Sequence, residues 1–189
     1  MMSMSQTVAM NHDDHVALLR GGVEAGPATW ADLGSGEGAF TLALADLLGP
    51  AGSIHSVDRD TRALQVQLRA ISNAFPKVSV TPHVADFTKP LKLPLLDGIV
   101  MANSLHFQYD KAAVLRLAGS YLRPAGRLIL VEYDTDDGNQ WVPFPLSFRS
   151  WKTLAAKTGL HDTQQLASVP SRFLGSIYSA LSLRQAAST

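Results

Sequence analysis

Short apolar runs alternate with amphipathic segments along most of this 189-residue chain. Each run is a few residues long and apolar nearly throughout, which is typical of strands buried on both faces of a parallel sheet. Between the runs, apolar residues recur every three or four positions, as on the buried face of a helix. The alternation predicts a parallel sheet with helices on both faces. The predicted strands are 29–33, 53–57, 78–81, 98–102 and 127–133.

Five segments carry the helical spacing. Leu64, Leu68 and Ile71, for example, place their side chains on one stripe. The helices are expected at about 13–23, 40–48, 64–75, 114–122 and 146–158, and Gly159 follows the last one where a C-terminal cap belongs. One link departs from the pattern, because the Pro-rich stretch 82–97 shows little helical spacing.

The C-terminal part predicts a hairpin and no further crossover. Segments 162–169 and 172–183 have strand character, and a Pro-Ser turn at 170–171 joins them. The sheet should therefore be mostly parallel, with one antiparallel strand at or near its edge. No linker interrupts the sequence, so we expect a single domain over 1–189, with frayed ends at 1–11 and 185–189.

Composition excludes several classes of function. The sequence has no Cys, which excludes disulfides, thiolate metal sites and cysteine nucleophiles. Sixteen basic residues balance 16 acidic residues. Without a large positive field, a nucleic-acid binder is not expected.

Targeting and metal signals are weak in this sequence. No apolar run reaches about 18 residues, and the first ten residues lack a signal-peptide pattern. We therefore expect no membrane segment and a cytoplasmic protein. His12 and His15 have the spacing of metal ligands but no clear third partner, so no metal site is predicted.

A glycine-rich loop follows the first predicted strand. Asp32 ends that strand, and Gly34, Gly36 and Gly38 alternate before the next helix begins. Glycines let a ligand approach the backbone, and the helix N-terminus adds N–H groups and a positive dipole end. The order Gly34-x-Gly36-x-x-Ala39 satisfies the dinucleotide pattern. Asp32, however, would repel a pyrophosphate and suits a cationic ligand such as S-adenosylmethionine.

Acidic residues also follow the second and third predicted strands. Asp58, with Arg59 beside it, stands where an acid accepts hydrogen bonds from ribose hydroxyls in either kind of adenosine ligand. The alternative is a cap for the next helix. Asp86 can accept the exocyclic amine of adenine, and Phe87 can cover the ring; the alternative is an ordinary loop acid.

In this order and spacing, these residues resemble the class I S-adenosylmethionine-dependent methyltransferases, in the small-molecule branch. The resemblance covers about residues 13–183 and includes the fourth-strand segment 96–103. It implies an α/β fold with a doubly wound, mostly parallel sheet of seven strands, whose last strand is inserted antiparallel. The final hairpin and the helix-poor crossover both fit that sheet.

The resemblance also implies one site for S-adenosylmethionine, with S-adenosylhomocysteine as the product. Glycine-loop residues would line the methionine moiety, and the backbone of Asn103 would meet its amino group. The implied binding residues are Asp32, Gly34, Ser35, Gly36, Gly38, Asp58, Arg59, Asp86, Phe87 and Asn103.

The methyl acceptor should lie beyond the fourth and fifth strands. His106 is the candidate general base, because imidazole titrates near neutral pH. A histidine that only packs or hydrogen-bonds is the alternative. Tyr109, Tyr133 and Trp141 are candidates for the substrate pocket, although each has an equally simple role in packing.

The predicted function is methyl transfer from S-adenosylmethionine to a small-molecule acceptor. Because the sequence has almost no inserted segments, the acceptor pocket is expected either to be open or to be completed by a second subunit in a homodimer. Two alternatives stay open on the sequence alone. One is an NAD-dependent oxidoreductase, which explains the loop and Asp58 but not Asp32 or the hairpin. The other is a catalytically inactive protein of the same fold that only binds the cofactor.

Overall fold

Seven strands form one sheet in the computed structural model, which describes residues 10–171 and 173–185. The spatial order is β3-β2-β1-β4-β5-β7-β6. All neighbouring pairs are parallel except those of β7, which runs antiparallel to both β5 and β6. The strands are β1 (Thr29–Leu33), β2 (Ser53–Asp58), β3 (Ser79–Val84), β4 (Leu96–Ala102), β5 (Leu122–Tyr133), β6 (Leu160–Pro170) and β7 (Ser176–Arg184).

The predicted mostly parallel, seven-stranded sheet with a C-terminal hairpin is confirmed. The chain moves outward from β1 to β3 on one side and then returns to β4 on the other side of β1. β1 and β4 therefore flank the switch point, outside whose carboxyl end a ligand crevice forms in doubly wound sheets.

Helices cover both faces of the sheet. On one face α1 packs on α2, and α3 lies beside α2; on the other face α4 contacts α5. Gly159 has a left-handed φ of +84° just after α5, as its predicted capping role requires. The helices are α1 (His12–Arg20), α2 (Ala39–Leu48), α3 (Thr61–Ala74), α4 (Lys111–Tyr121) and α5 (Phe148–Lys157), with a 3-10 turn at Leu105–Phe107.

The link from β3 to β4 contains no helix, as its Pro-rich sequence predicts. β3 is an edge strand that pairs only with β2, so Pro82 can lie inside it without leaving a second neighbour short of a hydrogen-bond donor. The segment 85–95 then carries Asp86 and Phe87 past the end of β2.

Two apolar clusters, one on each face, form the core. Trp30 on β1 packs on one face directly beside Gly98 on β4, its register partner. A Cβ atom at Gly98 would overlap the Trp30 indole, so this close approach needs glycine. No helix within the described residues is long and apolar enough to span a membrane.

Several boundaries differ from the sequence-based prediction. Asn11, expected in a frayed end, caps α1 by accepting a hydrogen bond from the Asp14 backbone N–H at 3.0 Å. Gln185, also expected to be frayed, donates its N–H to Gly159 O at 3.1 Å. α1 ends at Arg20 and not at 23, because Gly21 and Gly22 follow. The other predicted end residues, 1–9 and 186–189, lie outside the described residues.

Candidate functional site

The glycine loop is attached to the end of β2. Gly34 and Ser35 both donate their N–H groups to Val57 O, at 2.8 and 3.0 Å. Gly36 donates its N–H to Asp58 Oδ2 at 2.8 Å. Asp58 therefore holds the loop in place, and its other oxygen accepts the N–H of Asp60. The helix-cap role considered for Asp58 belongs to Asp60, whose side chain caps α3.

The three loop glycines meet different surroundings, although all have positive φ angles. A Cβ atom at Gly34 would come within 2.5 Å of Ser104 Cβ, and one at Gly38 would overlap Gln67. These two glycines permit close packing within the protein. Gly36, at φ +51°, has no atom within 4 Å of its Cβ position. Its open side faces a cleft.

The loop separates two adjoining cavities of about 300 and 250 Å³, which we call the loop cleft. Gly34, Gly36 and Asn103 line both cavities. All ten residues implied by the resemblance line one cavity or the other. The larger also has Asp58, Arg59, Asp86, Phe87, Ser104, Phe107 and Gln108; the smaller also has Met10, Asp32, His15, Ser35, Glu37, Gly38, Ala39, Phe40 and Ala102.

Asp32 is a buried acid that has no cationic partner within residues 10–171 and 173–185. Its side chain is 1% exposed, and its Oδ2 accepts a hydrogen bond from Thr41 Oγ1 at 2.6 Å. Gln67 in turn donates to Thr41 Oγ1 at 2.7 Å. No Lys or Arg of the described ranges forms an ion pair with Asp32. Burial, with a smaller contribution from the negative charge of Asp58, raises the Asp32 pKa to about 7.

Other polar groups of the loop cleft lack partners as well. Ser35 Oγ and Asn103 Oδ1 are buried atoms that form no hydrogen bond with the described part of the chain. Asn103 has a left-handed φ of +50°, an unusual conformation for a residue with a side chain. Buried polar groups are nearly always satisfied in native proteins. These atoms therefore indicate a polar ligand.

Asp86 and Phe87 enclose the larger cavity from the β3–β4 link. The Thr88 N–H and hydroxyl both donate to Asp86 Oδ1, at 2.9 and 2.7 Å. These hydrogen bonds lower the Asp86 pKa. Asp86 therefore forms hydrogen bonds within its own loop and also lines the larger cavity. The Phe87 ring lies against Gly34.

His106 forms a buried pair with Glu132. His106 Nδ1 lies 2.9 Å from Glu132 Oε1 and 3.0 Å from Oε2. His106 is 3% exposed and Glu132 is fully buried. The Tyr133 N–H also donates to Glu132 Oε1 at 2.8 Å, which fixes the carboxylate. No described residue hydrogen-bonds the other ring nitrogen, His106 Nε2.

Lys111 lies near this pair. Its Nζ donates to Gln108 O at 2.9 Å and stands 5.5 Å from the Phe144 ring centroid. Burial lowers the pKa of Lys111, and the nearby negative charge of Glu132 partly opposes that shift. Glu132 also raises the pKa of Tyr133, second to the effect of burial. The Glu132 carboxylate thus lies close to three other titratable groups, which are His106, Lys111 and Tyr133.

The sequence places Glu132 in the segment beside the expected acceptor, at the end of the fifth predicted strand, but it assigns Glu132 no role. It is the one acid at the carboxyl end of the apolar run 127–133. An acid at a fully buried strand position needs a hydrogen-bonding partner. That signal was present in the sequence, but nothing local identified His106 as the partner.

The three predicted pocket residues lie in different environments. Tyr133 is buried, with its ring centroid 5.9 Å from that of His106. Tyr109 is 85% exposed and makes an edge contact with Phe144, while Trp141 is 72% exposed. None of the three lines the loop cleft. Their role in an acceptor pocket stays a prediction.

His12 and His15 contact different groups. His12 Nε2 lies 3.1 Å from Asp46 Oδ2, and the His15 ring packs edge-on against Phe40. In the described ranges, no three His, Cys, Asp or Glu side chains come together as a metal-binding group.

Solved structures with the same fold include several methyltransferases. The YcgJ protein of Bacillus subtilis has a TM-score of 0.73 at 13% identity, covering 92% of this chain and 99% of its own. A SAM-dependent methyltransferase from Aquifex aeolicus has a TM-score of 0.69 at 17% identity, covering 90% and 89%. Human N-acetylserotonin methyltransferase, solved in complex with SAM, has a TM-score of 0.62 at 19% identity, covering 84% and 48%.

These structural similarities show the fold, and the family match is independent of them. No curated protein matches the chain significantly. Residues 28–169 match the methyltransferase domain family. The chain therefore belongs to the methyltransferase domain family, in agreement with the methyltransferase family that its sequence resembles.

Proposed function

We propose that the loop cleft binds S-adenosylmethionine through the ten residues that the resemblance implies. The observation that carries this proposal is Asp32, a buried carboxyl group without a cationic partner among the residues that the structure describes. A ligand ammonium beside it would compensate the burial of the negative charge. A dinucleotide pyrophosphate would instead bring like charge to the same place. Asp32 therefore favours the cationic methyl donor over NAD.

Each part of the donor meets a suitable group. Asp58 accepts hydrogen bonds from the ribose, while its contact with the Gly36 N–H keeps the loop in place. Asp86 and Phe87 contact the adenine. Gly36 allows the backbone to touch the ligand, because its Cβ position is open space.

His106 is proposed as the general base, with Glu132 as its positioning residue. The donor supplies a methyl carbon bonded to a positive sulfur. As the acceptor atom bonds to that carbon, the carbon–sulfur electron pair passes to sulfur, and S-adenosylhomocysteine is left. The acceptor proton moves to His106 Nε2. Glu132, held at Nδ1, stabilises the resulting imidazolium.

The substrate is proposed to be a small molecule with an ionisable proton. His106 is nearly buried, but its neighbours Ser104 and Phe107 line the loop cleft. His106 itself lines neither cavity, and we propose that the acceptor reaches Nε2 from the side of the loop cleft. We also propose that the chain works as one domain, in the cytoplasm and without nucleic acid, and that a homodimer completes the acceptor pocket.

The test is a turnover assay with labelled donor across a panel of phenols, amines, thiols and carbon acids. For an accepted substrate, His106→Ala should lower kcat about 100-fold, within the usual range for a general base. The dissociation constant for S-adenosylhomocysteine should not change. Glu132→Gln should lower kcat and move the acid limb of the pH–rate profile to lower pH, because it removes the charge that stabilises the imidazolium.

A matched control exists on the surface. His161 Nδ1 lies 2.8 Å from Asp162 Oδ2, so His161→Ala breaks an exposed pair of the same chemistry. It should leave kcat and the pH–rate profile as in wild type. An active His106→Ala enzyme with an unshifted profile would assign His106 and Glu132 to packing alone.

A further inference from the structure

His15 is a titratable group of the loop cleft that neither the sequence motifs nor the proposed mechanism uses. The first helix, α1, brings it to the wall of the smaller cavity, where Asp32 and Ser35 also lie. The His15 ring is half-buried and makes an edge contact with Phe40 at a centroid distance of 4.8 Å. Neither ring nitrogen has a hydrogen bond to any residue that the structure describes.

The same cavity has groups in its wall that can bind a negatively charged ligand group. Its wall includes the start of α2, where the N-cap Gly38 supplies no side-chain acceptor and the first turn holds no acidic residue. The first N–H groups of a helix have no partner within it and carry a partial positive charge. Ser35 lines this cavity too, and its buried Oγ has no hydrogen-bond partner among the described residues.

The smaller cavity thus contains two complementary parts. Asp32 is suited to a cation, while the start of α2, Ser35 and His15 are suited to an anion. An amino acid carries both charges on one carbon. The methionine end of the donor would satisfy both parts in a cavity of about 250 Å³.

We propose that His15 binds the carboxylate of the donor's methionine moiety, together with the start of α2 and Ser35. This inference rests on the proposed donor site. It adds a specificity residue from outside the glycine loop, and it makes recognition of the carboxylate depend on pH.

The pH dependence follows from the charges that face His15. Burial lowers its pKa, Asp14 opposes the shift, and His12 adds to it; Asp32 and Glu37 are the acids in the same cavity wall. His15 is therefore neutral at neutral pH without ligand. A carboxylate against the ring favours the protonated form, so binding takes up a proton and strengthens as the pH falls.

The test compares three ligands by isothermal titration calorimetry. S-adenosylmethionine and its decarboxylated form differ only in the carboxylate, and 5′-methylthioadenosine lacks the whole amino-acid part. His15→Ala should weaken S-adenosylmethionine binding about tenfold, as expected for the loss of a charge-assisted hydrogen bond. Binding of the other two ligands should stay as in wild type, which also shows that the variant is folded.

The affinity ratio of the first two ligands isolates His15 from Asp32, since both ligands bring an ammonium to Asp32. In the wild type this ratio should fall from pH 6 to pH 8, and in His15→Gln it should be flat. His161→Ala removes an exposed histidine that pairs with Asp162 away from the loop cleft, so it is the control and should keep the wild-type ratio.

Two failures are distinguishable. If wild type binds all three ligands but His15→Ala keeps the wild-type ratio, His15 does not bind the carboxylate and only this inference falls. If wild type binds neither S-adenosylmethionine nor 5′-methylthioadenosine, the donor site itself is wrong.

Discussion

Asp32 couples ligand binding to stability at the scale of one residue. Its carboxyl is enclosed by β1 and α2, and its hydrogen bond from Thr41 does not replace the lost solvation. A folded-state pKa near 7 means that folding favours the protonated form. The donor's ammonium would reverse that preference. The buried Asp32 carboxyl therefore destabilises the ligand-free protein, and the ammonium of the bound ligand would remove this destabilisation.

The first prediction concerns the pH dependence of unfolding without ligand. Between about pH 4 and pH 7, Asp32 is ionised in the unfolded chain but protonated in the folded chain. The contribution of Asp32 to the free energy of unfolding therefore falls as the pH rises. A shift of the Asp32 pKa from 3.8 to about 7 corresponds to a contribution of roughly 4 kcal/mol over that range. Asp32→Asn should remove the contribution while keeping an acceptor for Thr41.

Urea unfolding at several pH values measures the effect as the difference between wild type and Asp32→Asn. That difference should grow from pH 4 and level off above pH 7. A difference that stays constant with pH would show that Asp32 has an ordinary pKa.

At the scale of elements, the approach of α3 to the start of α2 decides the shape of the loop. Gln67 on α3 lies directly over Gly38 and donates to Thr41 on α2. The chain of hydrogen bonds from Gln67 through Thr41 reaches Asp32 on β1. Two helices and a strand are thus joined under the glycine loop.

The second prediction is that Gly38→Ala lowers the free energy of unfolding by about 2–4 kcal/mol, through overlap with Gln67 and a left-handed φ of +93°. Adding Gln67→Ala to the Gly38→Ala variant should recover the part of the lost free energy of unfolding that is due to this overlap. A double-mutant cycle measures that part. Additive effects of the two changes would contradict the contact.

Gly119→Ala is the control for this prediction, because Gly119 lies inside α4 with open space at its Cβ position. Here alanine should stabilise the protein by about 0.4–1 kcal/mol. Gly38→Ala is thus expected to lower the free energy of unfolding, whereas Gly119→Ala is expected to raise it.

For the whole molecule, the order of strands brings one ligand site together from four separated parts of the chain. Residues after β1, β2, β3 and β4 all line the loop cleft at the switch point of the sheet. A ligand that contacts all four parts binds the folded state only. It should therefore raise the midpoint of global unfolding.

The third prediction is that S-adenosylhomocysteine at 100 times its dissociation constant raises the melting temperature by about 5–10 °C, whereas NAD does not. Gly36→Val should abolish the shift, because its side chain would enter the loop cleft. Gly159→Val has a similar positive φ and open space but lies outside the cleft, so it should keep the shift. A shift with NAD alone would favour the oxidoreductase alternative.

Sequence alone determined the features that depend on neighbouring residues. Apolar spacing identified the strands and helices, and the loop from Asp32 to Gly38 carried its own signature because its parts are contiguous. Boundaries were less accurate where the end depends on tertiary pairing: β5 begins at Leu122, five residues before the apolar run, because Leu122 pairs with Leu96.

Only the tertiary structure decided which distant side chains meet. His106 and Glu132 are 26 positions apart, and His15 reaches the loop cleft from a helix before the first strand. Such contacts follow from how helices dock on the sheet, which no local periodicity encodes. Exposure is decided the same way: Tyr109 and Trp141 are aromatic, yet the fold leaves both largely in solvent.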